Sequence, residues 1–340
     1  MLRTVTARAE NWPLATPFRI SRGVKTAADV VHVEIREGEV SGVGESVPYP
    51  RYAETTDSVR AQIAAIAPAL AAGLSRRDLQ EAMGPGAARN AVDCALWDLE
   101  AKQAGMPVSE TLGAGEPPAL ASAMTVSLDK PEAMGRAAQA LATRAPVIKV
   151  KVGTQDAEAC IRAVRAAAPD AVLIVDPNES WDIALLQRLQ PSLAELRVAL
   201  VEQPLPADDD AALAGLEPLV PLCADESCHT ADDLETLRGR YQVVNIKLDK
   251  TGGLTGALAL LGEARRQGFG IMSGCMICTS LSVAPAFHIG RFADFVDLDG
   301  PLWLKQDRPG GVALRDGWLQ PPSRSLWGGA CLQAMEHESL

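Results

Sequence analysis

The sequence predicts an α/β protein: a parallel βα barrel preceded by an α+β part of roughly the first 115 residues. Three observations carry this. Between about Ala119 and Pro301, short apolar runs end in polar residues, and Ala- or Leu-rich amphipathic stretches separate them. Lys151, Asp176, Glu202, Asp225 and Lys247 end successive runs at spacings of 25, 26, 23 and 22 residues. Each interval holds one strand, one helix and two short loops. The N-terminal part instead reads as strands first and helices afterwards, an α+β pattern.

In chain order, VVHVEIREGEVSGVGE alternates apolar and polar residues, with a turn at Glu37-Gly38, and predicts an antiparallel hairpin. Helices follow, most clearly AARNAVDCALWDLEAKQAG (Ala87 to Gly105), and GAGEPPAL (Gly113 to Leu120) reads as a linker. Eight strands are then predicted: Ala123 to Ser127, Val147 to Val152, Ala171 to Asp176, Val198 to Glu202, Pro221 to Asp225, Val243 to Leu248, Gly270 to Gly274 and Phe295 to Asp299. Helices are predicted between them, such as DAEACIRAVRAAAP after Gln155 and LTGALALLGEARRQG after Gly253. Eight such units close into a barrel whose strand ends converge on one mouth, where active sites are built. The Pro- and Gly-punctuated tail after Trp303 finishes a small sheet or packs back on the first part.

Composition narrows the function. A chain of 340 residues with 47% hydrophobic residues buries a core without help from disulfides or metal. A net charge of −11 with no basic stripe speaks against nucleic acid and against anionic membranes. The longest apolar runs, such as Ala61 to Ala72, fall short of the ~20 residues of a bilayer span. The N-terminus has no continuous apolar segment of a secretion signal. Seven cysteines in a chain of this length do not suggest a disulfide framework. The expectation is a soluble cytoplasmic protein; a homo-oligomer is allowed and its size is not fixed.

Asp176, Glu202 and Asp225 end three consecutive predicted strands. Three converging carboxylates suit a hard divalent cation, Mg²⁺ in particular, which keeps water or substrate oxygens in its other positions. Solvated or salt-bridged strand-end acids are the alternative, and it weakens with three in register. Lys149 and Lys151, two residues apart on one strand, point to one face. Lys247 ends the sixth run, across the mouth from the second. Apolar residues frame all three lysines, so ordinary solvated positions are disfavoured. A confined lysine near a cation has its pKa lowered and acts as a base. Two lysines on opposite strands can address opposite faces of one carbon.

These elements resemble the enolase superfamily, in its muconate lactonizing enzyme subgroup. The matching segments are K-x-K (Lys149, Lys151), VDPNESW (Asp176), EQP (Glu202), ADES (Asp225) and NIKLDKTGG (Lys247), with GxGE (Gly42 to Glu45) and AVDCALWD further upstream. The resemblance runs over nearly the whole chain. It implies a modified TIM barrel, (β/α)7β, with an α+β capping domain. The implied division is residues 1–115 for the N-terminal part of the cap, 116–303 for the barrel and 304–340 for a segment returning to the cap. It also implies one Mg²⁺ per subunit on Asp176, Glu202 and Asp225, and proton removal next to a carboxylate by Lys151 and Lys247. FVDLDGP (Asp297, Asp299) resembles the D-x-D of dipeptide epimerases, where an acid pair holds the substrate ammonium. SVPYPRYAE, CADESCHT and GCMICTS also resemble the bacterial dipeptide epimerases. The implied activity is cofactor-independent, Mg²⁺-dependent epimerisation of a dipeptide, L-Ala-D/L-Glu foremost. Lys149, Thr125, Asp297, Asp299 and Arg22 are the implied substrate contacts, Arg22 for the side-chain carboxylate of Glu.

Other readings stay open at this stage. N-acyl amino acid racemases and o-succinylbenzoate synthases share the lysines and metal ligands but do not need an acid pair. A lyase forming a Schiff base at Lys247, or a non-catalytic metal-binding relative, is a different class. Cys275-x-x-Cys278 with Cys223 and Cys228 allows a redox or zinc reading, without the surrounding pattern of either. His229 and His288 read as ordinary histidines, and Trp97 and Trp181 as packing residues. Thr251-Gly252-Gly253 reads as a tight turn or an anion-binding helix start.

Overall fold

The computed structural model describes residues 2–329. The chain opens with an antiparallel three-stranded sheet of β1 (Arg3–Ile20), β2 (Gly23–Glu37) and β3 (Val40–Ser46), in that spatial order. The predicted hairpin is β2–β3. The long β1 was not foreseen, because Pro13 and Pro17 interrupt its pattern. Both are tolerated because β1 is an edge strand, and its register slips between Pro13 and Phe18. Helices α1 (Thr56–Ala71), α2 (Arg76–Ala82), α3 (Ala87–Ala104) and α4 (Val108–Thr111) follow. The GxGE segment is a packing device: a Cβ on Gly42 or Gly44 would collide with the backbone carbonyls of Ala95 or Ala91 on α3.

The second sheet has eight parallel strands: β4 (Met124–Val126), β5 (Val147–Lys151), β6 (Val172–Asp176), β7 (Val198–Glu202), β8 (Leu222–Ala224), β9 (Val243–Ile246), β10 (Gly270–Gly274) and β11 (Phe295–Asp297). Neighbours follow chain order from β4 to β11. A bridge between Ser122 and Val296, with Ala123 N donating to Val296 O at 2.7 Å, closes the ring. The outer helices are α5 (Pro131–Leu141), α6 (Ala157–Ala167), α7 (Ile183–Glu195), α8 (Leu234–Leu237), α9 (Leu248–Thr251), α10 (Leu254–Arg266) and α11 (Ser280–Gly290). Between β7 and β8 only a 3₁₀ turn (Asp210–Leu213) replaces the predicted helix. A hairpin of β12 (Ala313–Arg315) and β13 (Trp318–Gln320) ends the ordered elements.

The barrel interior explains the site above it. Ala123, Ile174, Leu200, Cys223, Val243 and Met272 pack together as a dry inner layer. Two residues further along the same strands lie Thr125, Asp176, Glu202, Asp225 and Asn245. Period-two geometry keeps each on the inward face, one layer nearer the mouth. Beyond the barrel, Leu304 bridges Leu14, Arg308 pairs with Glu10 and Glu45, and Val108 N donates to Gly328 O at 2.9 Å. No helix among the described residues is long and apolar enough to cross a membrane.

Candidate active site

A cavity of about 500 Å³ sits on the carboxyl ends of the strands. Its floor carries Thr125, Lys149, Lys151, Lys247, Asp297 and Asp299, and its roof comes from the β1–β2 connection (Ile20, Arg22, Val24) and from Tyr49 to Tyr52.

The strand-end acids and lysines are interleaved. Lys149 Nζ lies 3.0 Å from Asp176 Oδ2, 2.6 Å from Glu202 Oε2 and 2.7 Å from Asp297 Oδ2. Lys151 is ion-paired to Asp176, its register partner on β6. Lys247 Nζ is 2.5 Å from Asp225 Oδ2. All seven side chains are buried. Burial opposes charge on Lys247, but Asp225 and Glu202 outweigh it and hold its pKa above the ordinary lysine value. Asp176, Asp297 and Glu202 do the same for Lys149. These carboxylates hold both ammoniums in their charged form, and a cation on the same carboxylates would act in the opposite sense.

Among the described residues no three His, Cys, Asp or Glu side chains form a ready metal cage. The three strand-end carboxylates turn to lysines instead of sharing one point. Their chemistry nonetheless fits a hard cation. Asp176, Glu202, Asp225, Asp297 and Asp299 outnumber Lys149, Lys151, Lys247 and Lys250. The excess negative charge shows at Glu202: burial, with Asp176 and Asp225 beside it, pushes its carboxyl up to about 8 despite Lys149. A divalent cation bound to oxygen ligands relieves that repulsion.

Asp297 ends β11, and Asp299 caps the 3₁₀ turn after it (Gly300–Trp303) rather than continuing the strand. Both face the cavity. Asp299 Oδ2 accepts from Thr125 N at 2.8 Å and from Trp303 Nε1 at 3.2 Å. Burial and the neighbouring Asp297 push its carboxyl up to about 6. Thr125 thus meets the acid pair through its backbone.

Arg22 lies over the mouth as expected, but its guanidinium is occupied. It donates to Glu226 Oε1 at 2.6 Å, Glu179 Oε2 at 2.9 Å, Asn178 O at 3.0 Å and Tyr49 OH at 3.1 Å. Lys25, from the same hairpin, also lines the cavity, with its ammonium 4.9 Å from the Tyr49 ring centroid.

The fold and the site have counterparts among known proteins. Residues 2–113 match the mandelate racemase / muconate lactonizing enzyme N-terminal domain, and residues 133–328 match the enolase C-terminal domain-like family. The chain belongs to this family. It is 49% identical to the L-Ala-D/L-Glu epimerase of Escherichia coli K12, over 90% of this chain and 96% of that protein. It is 45% identical to the N-acetyl-D-glutamate racemase of a Pseudoalteromonas species, over 88% and 96%. A crystal structure of an enolase family member from Agrobacterium tumefaciens, described as homologous to dipeptide epimerases with bound sodium and L-Ala-L-Glu, superposes with a TM-score of 0.94. It is 50% identical and covers 96% of this chain and all of that one.

Within this enolase-family site, sequence reasoning missed Asn245 and Lys250. Asn245 Nδ2 donates to Glu202 Oε1 at 2.9 Å, and Lys250 grips Asp225. The signal for Asn245 was its place two residues before Lys247 on the same strand. His229 accepts no catalytic role from its position: it stacks edge-on against Tyr52. His288 is buried against Trp327, and burial lowers its pKa to about 4. The six described cysteines are free thiols.

Proposed function

We propose that this protein is a Mg²⁺-dependent dipeptide epimerase acting on L-Ala-D/L-Glu by transfer of one proton at the α-carbon of the C-terminal residue. One observation carries the reading: the strands that bear the two lysines, the three carboxylates and the acid pair occupy four sides of the ring. In the closed order from β4 to β11, β5 and β9 lie opposite each other, and β7, the middle of the three carboxylate strands, lies opposite β11. Lys151 and Lys247 therefore flank a central point from two sides. The carboxylates of β6, β7 and β8 and the Asp297–Asp299 pair stand on the other two.

A dipeptide fits that cross. Its α-carboxylate lies on the side of Asp176, Glu202 and Asp225, the residues that would hold the metal. A Mg²⁺ held by these three carboxylates would supply positive charge where negative charge develops on the substrate carboxylate. Lys149 adds a second cation on the same side, stabilising the developing charge more than the ground state. The free ammonium of the first residue points across to Asp297 and Asp299, since a charge in a confined site needs a partner. The reacting carbon is left between Lys151 and Lys247. One lysine takes the α-proton and the ammonium of the other returns a proton to the far face. With the other stereoisomer the roles exchange. For the side-chain carboxylate of Glu, Lys25 is the better placed cation, because Arg22 is already shared between Glu226 and Glu179.

The same reading divides the chain into a cap over 1–115, a barrel over 116–303 and a returning segment over 304–340, of which 330–340 lie outside the described residues. A cytoplasmic setting belongs to this reading. An N-acyl amino acid racemase is the second reading, favoured by the similarity to the N-acetyl-D-glutamate racemase. It offers the acid pair no cation from the substrate. The deciding experiment incubates the protein with Mg²⁺ in D₂O against a set of L,L-dipeptides and N-acetyl amino acids. Deuterium at the α-carbon of L-Ala-L-Glu, abolished by EDTA and restored by Mg²⁺, is the expected result. Faster exchange of N-acetylglutamate selects the second reading.

A further inference from the structure

We propose that Lys250 is a positioning residue, which fixes the Asp225 carboxylate so that one oxygen is held back in the barrel wall and the other faces the mouth. Lys250 is buried, with 1% of its surface exposed. Its ammonium donates to Asp225 Oδ1 at 2.7 Å, to Asn245 O at 3.0 Å and to the backbone carbonyl of Asp225 itself. An ammonium has three donors and no acceptor. All three are used here, so Lys250 has neither a lone pair to act as a base nor a donor to offer a ligand. Taking both the side-chain and the main-chain oxygen of one residue fixes the carboxylate's orientation. Asp225 Oδ2 is left towards the cavity, where Lys247 meets it.

The support of Lys250 is itself anchored. It stands on α9, a single turn after β9. Arg89 of α3 clamps that turn through Thr251 O at 2.8 Å and Gly252 O at 3.2 Å. The six residues from Asn245 to Lys250 thus reach two strand-end acids, with Asn245 on Glu202 and Lys250 on Asp225, and supply Lys247 between them. A buried cation is costly unless paired, and a methionine would fill the same volume without that cost. Packing alone does not account for it.

This inference rests on Asp225 being one of the metal-binding carboxylates. The test is isothermal titration of the full-length protein with Mg²⁺ alone, for wild type, Lys250→Met, Asp225→Asn and the double variant, with circular dichroism as the check on folding. By charge alone, removing an ammonium beside Asp225 would tighten cation binding. Positioning predicts the opposite: Lys250→Met binds Mg²⁺ about 10–100-fold more weakly, the range for residues that orient metal ligands. The double variant then binds no more weakly than Asp225→Asn, since Lys250 acts through Asp225. Unchanged or tighter binding by Lys250→Met, or losses that add in the double variant, overturns the proposal. If Lys250→Met fails to fold, recovery of the fold on adding Asp225→Asn supports it, because the buried carboxylate oxygen that Lys250 had held was then the fault. Failure of both variants to fold makes the lysine a packing residue and overturns it. A wild type that binds no Mg²⁺ refutes the metal assignment of Asp225 itself, and this proposal with it.

Discussion

Lys151 and Lys247 stand on β5 and β9, four strands apart in a closed ring of eight, and each is paired with the carboxylate of a neighbouring strand. Their separation by half the ring is what lets two lysines address opposite faces of one carbon. A one-base enzyme would need only one of them.

Replacing either lysine should therefore stop epimerisation while leaving half of the chemistry. Lys151→Ala and Lys247→Ala are each expected to lose epimerisation by more than about 10²–10⁴-fold, the contribution of a positioned acid or base. Each should still exchange the α-proton of one stereoisomer with solvent. Proton NMR in D₂O on L-Ala-L-Glu and L-Ala-D-Glu separately reads both. Near-normal epimerisation by either variant would exclude the two-lysine mechanism.

The acid pair sets the requirement for a free amino group. Asp297→Asn and Asp299→Asn should raise KM and lower kcat/KM for L-Ala-L-Glu. Acetylating the dipeptide's amino group should lower kcat/KM on wild type and cost much less on the Asn variants, since the charge to be paired is already gone. Steady-state kinetics on the two substrates gives the comparison. An acetylated dipeptide turned over as well as the free one removes the pair from ammonium binding.

Arg22 and Lys25 separate loop closure from side-chain recognition. Arg22 ties the β1–β2 connection to Glu226, Glu179 and Asn178, so Arg22→Ala should reduce kcat/KM for L-Ala-L-Glu and L-Ala-L-Ala alike. Lys25→Ala should reduce L-Ala-L-Glu turnover selectively, by about tenfold or more, as expected for one charge-assisted pair. A selective loss in Arg22→Ala with none in Lys25→Ala would return the role to Arg22.

Much of this was legible because the inward face of a barrel strand combines apolar residues with a polar end. Val198–Glu202 and Gly270–Gly274 have the same limits in the sequence reading and in the structure. Features set by distant partners were not legible. The arginine at position 22 reads as available until Glu226 and Glu179 arrive from loops 204 and 157 residues away. The charge that surrounds Lys247 was not legible either: by the protein's own groups its pKa does not fall. It rises because Asp225 and Glu202 converge on it, and their approach is a property of the closed ring. Lys250 lies beyond the predicted strand Val243 to Leu248, and only the turn of α9 brings it back onto Asp225. Edge strand β1 was hidden by its prolines, which a central strand would not have admitted.

Stability at alkaline pH should be limited by Asp249, which joins the barrel to the cap. Its Oδ1 accepts from Val47 N at 2.9 Å and from Asn90 Nδ2 at 2.7 Å. Burial, opposed by these two donors, pushes its carboxyl up to about 7. The ordinary value in an unfolded chain is about 3.9. The folded protein therefore binds the proton more tightly than the unfolded one. Between those two values stability falls as pH rises, and above about 7 the loss is complete. Asp249→Asn keeps an oxygen for both donors and cannot ionise. Its new amide nitrogen faces the polar cavity that Asp249 shares with Glu54 and Glu226. At pH 8 the variant should be more stable than wild type by on the order of 1–3 kcal/mol, below the ceiling of about 1.4 kcal/mol per pKa unit. That corresponds to a melting temperature higher by about 2–4 °C per kcal/mol. At pH 5, where the fold keeps the wild-type carboxyl protonated but the unfolded chain has mostly lost its proton, the gain should shrink to about a third, and it vanishes only below about pH 4. Thermal melts of both proteins from pH 5 to 8 test this. A variant that is equally destabilised across the whole range would mean that Asp249 is charged in the native protein and that its two donors more than offset its burial.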